Sequence, residues 1–224
     1  MHSTMALAAS LLHLAAVGPA VAPNPRTPPS PEEIAAARSA ADRLVADAHA
    51  DDLFENITTG RGPTVRHRAS GLYCSFSEKS VGRILIPSSA DRGDRVACEE
   101  RFEYWATTVS ARRAPADVTA EQELAVEVQS DRSAHPDLEP SRQPSDPVPS
   151  NMLHRAPADS DLWLRSKDGK VTVHWVGRKQ NGWIYLVRFI TPTKLYPLMA
   201  TVGLIGSIDD VLCTPERGRS VCRP

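Results

Sequence analysis

The segment DLWLRSKDGKVTVHWVGRKQNGWIYLVRFITP, residues 161–192, constrains the fold more than any other part of the chain. Its dipeptides Asp168-Gly169 and Asn181-Gly182 are typical of tight hairpin turns, and each lies between runs of alternating apolar residues. The segment therefore predicts three antiparallel strands in succession. The third strand is apolar on both faces, which carry Trp183, Tyr185, Val187 and Phe189 on one side and Ile184, Leu186 and Ile190 on the other. We expect this strand to be central in a sheet that is covered on both sides.

A helix over residues 31–50 is predicted as one cover for this sheet. Ser30 is a suitable N-cap, Pro31 suits the first helical position, and Glu33 completes a capping box. Apolar residues then recur at steps of three and four, at Ile34, Ala37, Ala41, Leu44, Val45 and Ala48. This spacing is typical of a helix with one apolar face.

Further elements follow from shorter patterns. Alternation predicts strands at residues 72–76 and 82–87, and high strand propensity predicts one strand over residues 97–111. Thr119 and Gln122 form a second capping box and predict a helix to about residue 131, although Val126 and Val128 also fit a strand. Residues 196–212 have one apolar helical face, with a strand as the alternative.

Proline-rich segments divide the chain. Residues 21–30 predict an extended tether, since prolines dominate and apolar content is low. Residues 132–150 contain five prolines and too little apolar surface to offset the entropy lost on ordering, which predicts a disordered insertion. The expected organisation is therefore a single domain over residues 31–224 with a mobile insertion.

The N-terminal residues 1–20 resemble an export signal. Residues 5–20 form an apolar run that is too short to span a bilayer and ends in small residues. We expect cleavage near Ala20 or Ala22 and a periplasmic or secreted protein without a membrane span in its mature chain. An apolar helix packed on the domain is the alternative.

The cysteines fit an oxidising compartment. Cys74, Cys98, Cys213 and Cys222 are an even number, and exported proteins convert such sets into disulfides. Four cysteines allow three pairings, and proximity along the chain favours Cys74 with Cys98 and Cys213 with Cys222. No C-x-x-C pair or nearby histidine indicates zinc, so a metal site is not expected.

Charge and composition exclude one class of partner. The 224 residues contain 26 basic and 27 acidic side chains, with a formal net charge of −1. So little net charge creates no overall field to attract nucleic acid. The basic residues comprise 21 arginines and five lysines, a bias that suggests a GC-rich bacterial genome.

Local motifs give weak functional signals. No nucleophile elbow of the G-x-S-x-G type is present, so the catalytic residues, if there are any, are unknown, and no cofactor is indicated. Arg61, Arg66 and Arg68 lie near glycines and form a weak candidate for anion binding, with a charged edge strand as the alternative. We expect His67 to be exposed.

Other polar residues have structural interpretations. We expect Glu99 and Glu100 to point to opposite faces of a strand as surface charge, and His174 to be a packed or surface histidine. The four tryptophans are expected to fill the core, with a ligand cleft as the alternative.

The sequence as a whole predicts an α+β fold: an antiparallel sheet of about five to six strands, with helices packed on one face, stapled by disulfides. The expected function is that of an exported, noncatalytic module that binds a small ligand or an envelope protein. A hydrolase that acts on envelope material through catalytic residues dispersed in the sequence is the alternative.

Overall fold

The structure is a computed structural model that describes residues 28–88, 91–142 and 159–196, together with the backbone of residues 214–216 and 219–221. Several predictions concern residues outside these ranges. They are the export signal, most of the tether, residues 143–150 of the predicted insertion, and all but the first residue of the element at 196–212.

Two helices and ten strands form the body of the described chain. The helices are α1 (Pro31–Asp47) and α2 (Ala120–Ala134). The small sheet has the order β1-β2-β3, with strands Phe54–Asn56, Thr64–His67 and Tyr73–Ser75. The large sheet has the order β4-β5-β6-β10-β9-β8-β7. Its strands are, in chain order, Val81–Leu85, Arg95–Arg101, Ala106–Arg113, Leu138–Ser141, Ser160–Ser166, Val171–Gln180 and Trp183–Pro192.

The predicted three-strand meander is confirmed as β8, β9 and β10. β10 pairs antiparallel with β9 along its whole length and with β6 on its other side, so it lies in the centre of the large sheet. The turn before β10 places both Asn181 (φ 52°) and Gly182 (φ 77°) in the left-handed region, which the tight hairpin turn requires.

The start of α1 is also confirmed. The Ser30 side chain accepts a hydrogen bond from the Glu33 main chain, and the Glu33 carboxylate accepts one from the Ser30 N–H. Ala37, Ala41 and Val45 form the buried face of this helix. Neither α1 nor α2, the helices in the described part of the chain, has the length and apolar content that crossing a membrane requires.

The two helices contact opposite faces of the large sheet, which corrects the prediction of helices on one face. α1 and the small sheet share a core with Trp183, Tyr185 and Val187, which lie on one side of β10. α2 shares a second core with Ile184 and Leu186, which lie on the other side. Because β10 is apolar on both faces, each face needs its own cover.

α2 docks on the sheet through ion pairs as well as apolar contacts. Glu123, Glu127 and Asp131 recur every four residues and therefore lie along one side of the helix. They pair in that order with three arginines of the sheet: Arg112, Arg95 and Arg188. Burial raises the pKa of Glu127, with Arg95 acting in the opposite direction. These contacts fix the position of Arg188 on β10.

The prediction of five to six strands in a single sheet is wrong, because the chain forms sheets of seven and three strands. Residues 95–113 form two strands, β5 and β6, instead of one. The turn between them is closed by a hydrogen bond of 2.8 Å from the Phe102 N–H to the Trp105 carbonyl oxygen. The sequence does not predict the small sheet in full, in part because Val65 is the only apolar residue of β2, which also contains threonine, arginine and histidine.

The first part of the predicted insertion is regular structure. Residues 132–134 complete α2, and residues 138–141 form β7 at the edge of the large sheet. Leu138 is buried in the core beneath α2, which anchors this strand. Pro140 is compatible with an edge strand because only one side of such a strand must donate hydrogen bonds.

A disulfide between Cys74 and Cys98 joins the two sheets, as expected from their proximity along the chain. Cys74 belongs to β3 and Cys98 to β5, and both are buried. Of the described residues, no cysteine is free. The bond therefore connects the small sheet covalently to the second strand of the large sheet.

Replacing both cysteines by alanine is expected to destabilise the fold. Cys74 and Cys98 are 24 residues apart, and opening a loop of this size costs about 3.5 kcal/mol of the free energy of unfolding on the loop-entropy model. Urea denaturation of the wild type and of the double variant Cys74→Ala/Cys98→Ala measures the difference. Equal midpoints would contradict a structural role for the bond.

A second disulfide, between Cys213 and Cys222, is predicted from the backbone of a separate hairpin. Thr214–Glu216 (β11) and Arg219–Val221 (β12) pair antiparallel, with Thr214 opposite Val221. The two cysteines adjoin these ends in sequence and lie outside the described residues. Because each cysteine is the sequence neighbour of one member of the Thr214–Val221 pair, we expect mass spectrometry of a non-reduced digest to find this crosslink. Free thiols at both positions would contradict it.

Candidate functional site

The three arginines predicted as an anion site each have a carboxylate partner. Arg61 pairs with Glu33 of α1 at 2.9 Å. Arg66 and Arg68 both approach Glu55, at 2.6 and 3.6 Å. The structure thus divides these arginines between two carboxylates, and the anion site stays a prediction.

His67 is fully buried, so the prediction of an exposed histidine is wrong. Its ring lies between Phe54 and Trp183, with ring centroids 5.2 and 5.6 Å away. The Ser70 main-chain N–H donates to Nδ1 at 3.2 Å, and Nε2 has no hydrogen-bond partner. Burial, and to a smaller extent Arg113, lower the pKa of His67 to about 4. A neutral ring packed in the core fits these contacts.

His174 is packed against an aromatic ring. It stacks on Trp163 with centroids 3.8 Å apart and planes 8° apart. Its Nε2 lies 2.7 Å from an Asp161 carboxylate oxygen, and its Nδ1 lies 3.5 Å from the Tyr196 hydroxyl. The His174 ring is 2% exposed, and each of its nitrogens has a polar neighbour. Asp161 and Tyr196 therefore fix the orientation of the ring within the sheet. This agrees with the prediction of a packed histidine.

Glu99 is buried between two arginines, which corrects its assignment as surface charge. Its carboxylate pairs with Arg83 at 2.8 Å and also with Arg101. The bond to Glu99 raises the pKa of Arg101. Since one carboxylate serves two guanidinium groups, this cluster retains one excess positive charge.

A groove lies beside this cluster, and we call it the Trp105 groove. One hollow, of about 400 Å³, is lined by Glu99, Arg101, Phe102, Tyr104, Trp105, Ala106, Thr108, Val171, Arg188, Ile190, Thr191 and Pro192. A second hollow, of about 830 Å³, is lined by Tyr104, Gly169, Lys170, Val171, Pro192, Lys194 and Leu195. Tyr104, Val171 and Pro192 border both hollows, so the two adjoin.

Three parts of the large sheet form the Trp105 groove. They are the turn between β5 and β6, the turn between β8 and β9, and the end of β10. In the first turn, Phe102 and Trp105 stack on each other with centroids 3.9 Å apart, and Trp105 also contacts Phe189. These contacts hold the turn against the core and leave Tyr104 61% exposed.

The walls of the groove combine apolar and cationic groups. Val171, Ile190, Pro192 and Leu195 are half-buried and supply the apolar surface. The cationic side chains are Arg101, Arg188, Lys170 and Lys194, against a single carboxylate, Glu99. Such a mixture of apolar surface with a few charged groups is typical of sites for small ligands.

A hollow of about 560 Å³ beside α1 is a weaker candidate. It is lined by α1 alanines and Leu44 together with Phe76, and by three carboxylates and two arginines. Its charges nearly cancel, and it has no exposed aromatic ring. In the described part of the chain, no group of three or more potential ligands is suited to hold a metal ion.

The groove was missed in the sequence because its residues are dispersed. Strand propensity predicts that residues 97–111 form one strand, whereas residues 102–105 form the turn that carries the exposed tyrosine. The sequence signal for this turn is the run RFEYW, in which two charged residues are interspersed with three aromatic ones between strand-forming runs. Trp163, Trp175 and Trp183 are buried, as expected for core residues, and only Trp105 borders the groove.

No protein-family model, curated protein sequence or solved structure matches this chain. The function therefore has to be inferred from the geometry and chemistry of the site.

Burial of His67 makes the stability dependent on pH. Its pKa of about 4 in the fold is below the unfolded value of about 6.5, so the unfolded state binds more protons between these limits. The contribution of His67 to the free energy of unfolding is complete above pH 6.5. It falls by on the order of 3 kcal/mol as the pH drops to about 4. Urea denaturation between pH 7 and 4 measures this loss.

The control is the variant His67→Gln, which cannot titrate in this range. We expect a flatter pH dependence for His67→Gln, whereas His135→Gln, at an exposed position, retains the dependence of the wild type. Identical profiles for His67→Gln and the wild type would contradict the assignment.

Proposed function

We propose that this chain is an exported, noncatalytic binding protein that holds a small ligand in the Trp105 groove. The observation that carries the proposal is the exposed ring of Tyr104 at the junction of two hollows with apolar walls. Large apolar groups exposed in a concave site are a common mark of ligand binding.

Export is supported by the sequence and by the disulfide. The N-terminal segment resembles a cleavable signal, and Cys74 and Cys98 are bonded. Disulfides of this structural kind persist in the periplasm and outside the cell and are rare in reducing compartments. We therefore place the binding activity in the periplasm or the medium.

A small ligand suits the groove better than a protein partner does. Stable protein interfaces bury about 800 Å² on each partner, whereas small-ligand sites have volumes of about 300–1,000 Å³. The two hollows, of about 400 and 830 Å³, fall in the second class. An envelope protein as the partner is therefore the less favoured form of the proposal.

A hydrolase is the alternative function, and the pair of His174 and Asp161 is the only specific observation that favours it. Among the described residues, His174 is the only histidine in contact with a carboxylate. A general base needs a free nitrogen aimed at a substrate. Here Nε2 contacts Asp161, and Nδ1 lies beneath the hydroxyl of Tyr196. These contacts favour an orienting role for the pair.

Binding is tested with the fluorescent probe anilinonaphthalene sulfonate, which has an aromatic body. We expect saturable binding to the wild type and about tenfold weaker binding to Tyr104→Ala, because removing this ring deletes apolar contact area in the groove. The matched control is Val81→Ala, which removes a residue that is 72% exposed on β4 and does not line the groove. Fluorescence titration measures both variants.

The melting temperatures of both variants should stay close to that of the wild type, since both residues are exposed. Equal affinity of Tyr104→Ala and the wild type would refute the groove as the binding site. The absence of saturable binding to the wild type would count against the proposed function itself.

A further inference from the structure

The charges of the Trp105 groove are not all balanced. Arg188 forms a two-bonded ion pair with Asp131 of α2, at 2.8 and 2.6 Å, and the Asp131 carboxylate also accepts a hydrogen bond from the Trp175 indole N–H. Lys170 pairs with Asp168 at 2.9 Å. These two cations are therefore neutralised by neighbours within the fold.

The remaining cations are in excess. Arg101 shares the Glu99 carboxylate with Arg83. Lys194 is exposed, and no carboxylate among the described residues pairs with it. The groove thus has excess positive charge at both ends, but only at Lys194 is a cationic group without an ion-pair partner in the described part of the chain.

Lys194 stands at the end of an apolar surface. It belongs to a 3-10 turn, Thr193–Leu195, that directly follows β10. The hollow beside it is otherwise formed largely by Tyr104, Val171, Pro192 and Leu195. An ammonium group beside apolar walls complements a ligand with an anionic end and an apolar body.

We propose that the ligand of the Trp105 groove is an amphiphilic anion whose charged group pairs with Lys194. This inference rests on the proposed function and specifies the ligand class. The apolar body of the ligand lies along Tyr104 and Val171 towards Ile190. Carboxylate, sulfonate and phosphate groups share the chemistry that Lys194 recognises, since its ammonium acts as a point charge.

A cationic ligand does not fit this surface. Arg188 and Lys170 are neutralised by Asp131 and Asp168, but Lys194 and the cluster of Arg83, Arg101 and Glu99 keep excess positive charge, which repels a cationic ligand. A polyanion such as nucleic acid does not fit either, because the net charge of the chain is −1 and the groove is walled by apolar residues. The favoured ligand is therefore a small molecule with a single anionic group.

Three probes that share one apolar body test the charge preference. They are 2-naphthoate, 2-naphthalenemethanol and 2-naphthylmethylammonium, which are anionic, neutral and cationic. Isothermal titration should find the anion bound about fivefold more tightly than the neutral probe, and the cation most weakly. Added salt should weaken the binding of the anionic probe selectively, because salt screens the ion pair that only this probe forms.

Substitutions of single lysines test which side chain pairs with the anionic group of the probe. Lys194→Gln should reduce the affinity for 2-naphthoate to that for the neutral probe and leave the affinity for the neutral probe unchanged. Lys79→Gln is the matched control, since Lys79 is exposed and does not line the groove. Lys170→Gln should have a smaller effect than Lys194→Gln, because Lys170 is neutralised by Asp168.

The outcomes separate the two proposals. If the neutral probe binds as tightly as the anion, and both are weakened by Tyr104→Ala, the groove binds a ligand but the anionic class is wrong. If Lys194→Gln and Lys170→Gln cost the same affinity, the assignment of the anion to Lys194 is wrong. If none of the three probes binds the wild type, the proposed function and this inference both fail.

Discussion

The burial of both faces of β10 is the constraint on which the rest of the structure depends. Ile184 and Val187, on opposite faces, are each 1% exposed, so the strand needs a cover on each side. α1 with the small sheet provides one cover and α2 provides the other. Burying a large apolar side chain contributes about 1.5–3 kcal/mol, so neither cover is dispensable in a fold of ordinary stability.

The Trp105 groove lies where the covers of the large sheet end. β10 continues to Pro192. Its residues 183–187 are buried, whereas Ile190 near its end is only half-buried. The apolar surface that remains is bordered by the turn that carries Tyr104. Asp131 lies near the C-terminal end of α2, and its ion pair with Arg188 marks the boundary between the part of the sheet that α2 covers and the part that it leaves open. The candidate site is thus a consequence of how the core is covered.

Local signals account for the features that the sequence predicted well. A capping box or a turn dipeptide involves residues three or fewer positions apart, so the start of α1 and the turn at Asn181-Gly182 were predictable. Features that depend on distant residues were not. The hydrogen bond from the Tyr185 hydroxyl to the Ser70 carbonyl joins residues 115 positions apart, and no local pattern reports it. The burial of His67 and the groove itself depend on such contacts, which explains why they were missed.

The disulfide between Cys74 and Cys98 gives the protein a specific response to proteolytic nicking. The loop that it closes contains β4 and the connection from β4 to β5, whose residues 88, 91 and 92 are exposed. A single cut in this connection separates α1 and the small sheet from β5 in the covalent chain, but the bond still joins the two fragments. Their reassociation is then an intramolecular event at high effective concentration. The nicked protein consequently keeps its assembled form until a reductant reaches a sulfur pair that both sheets bury.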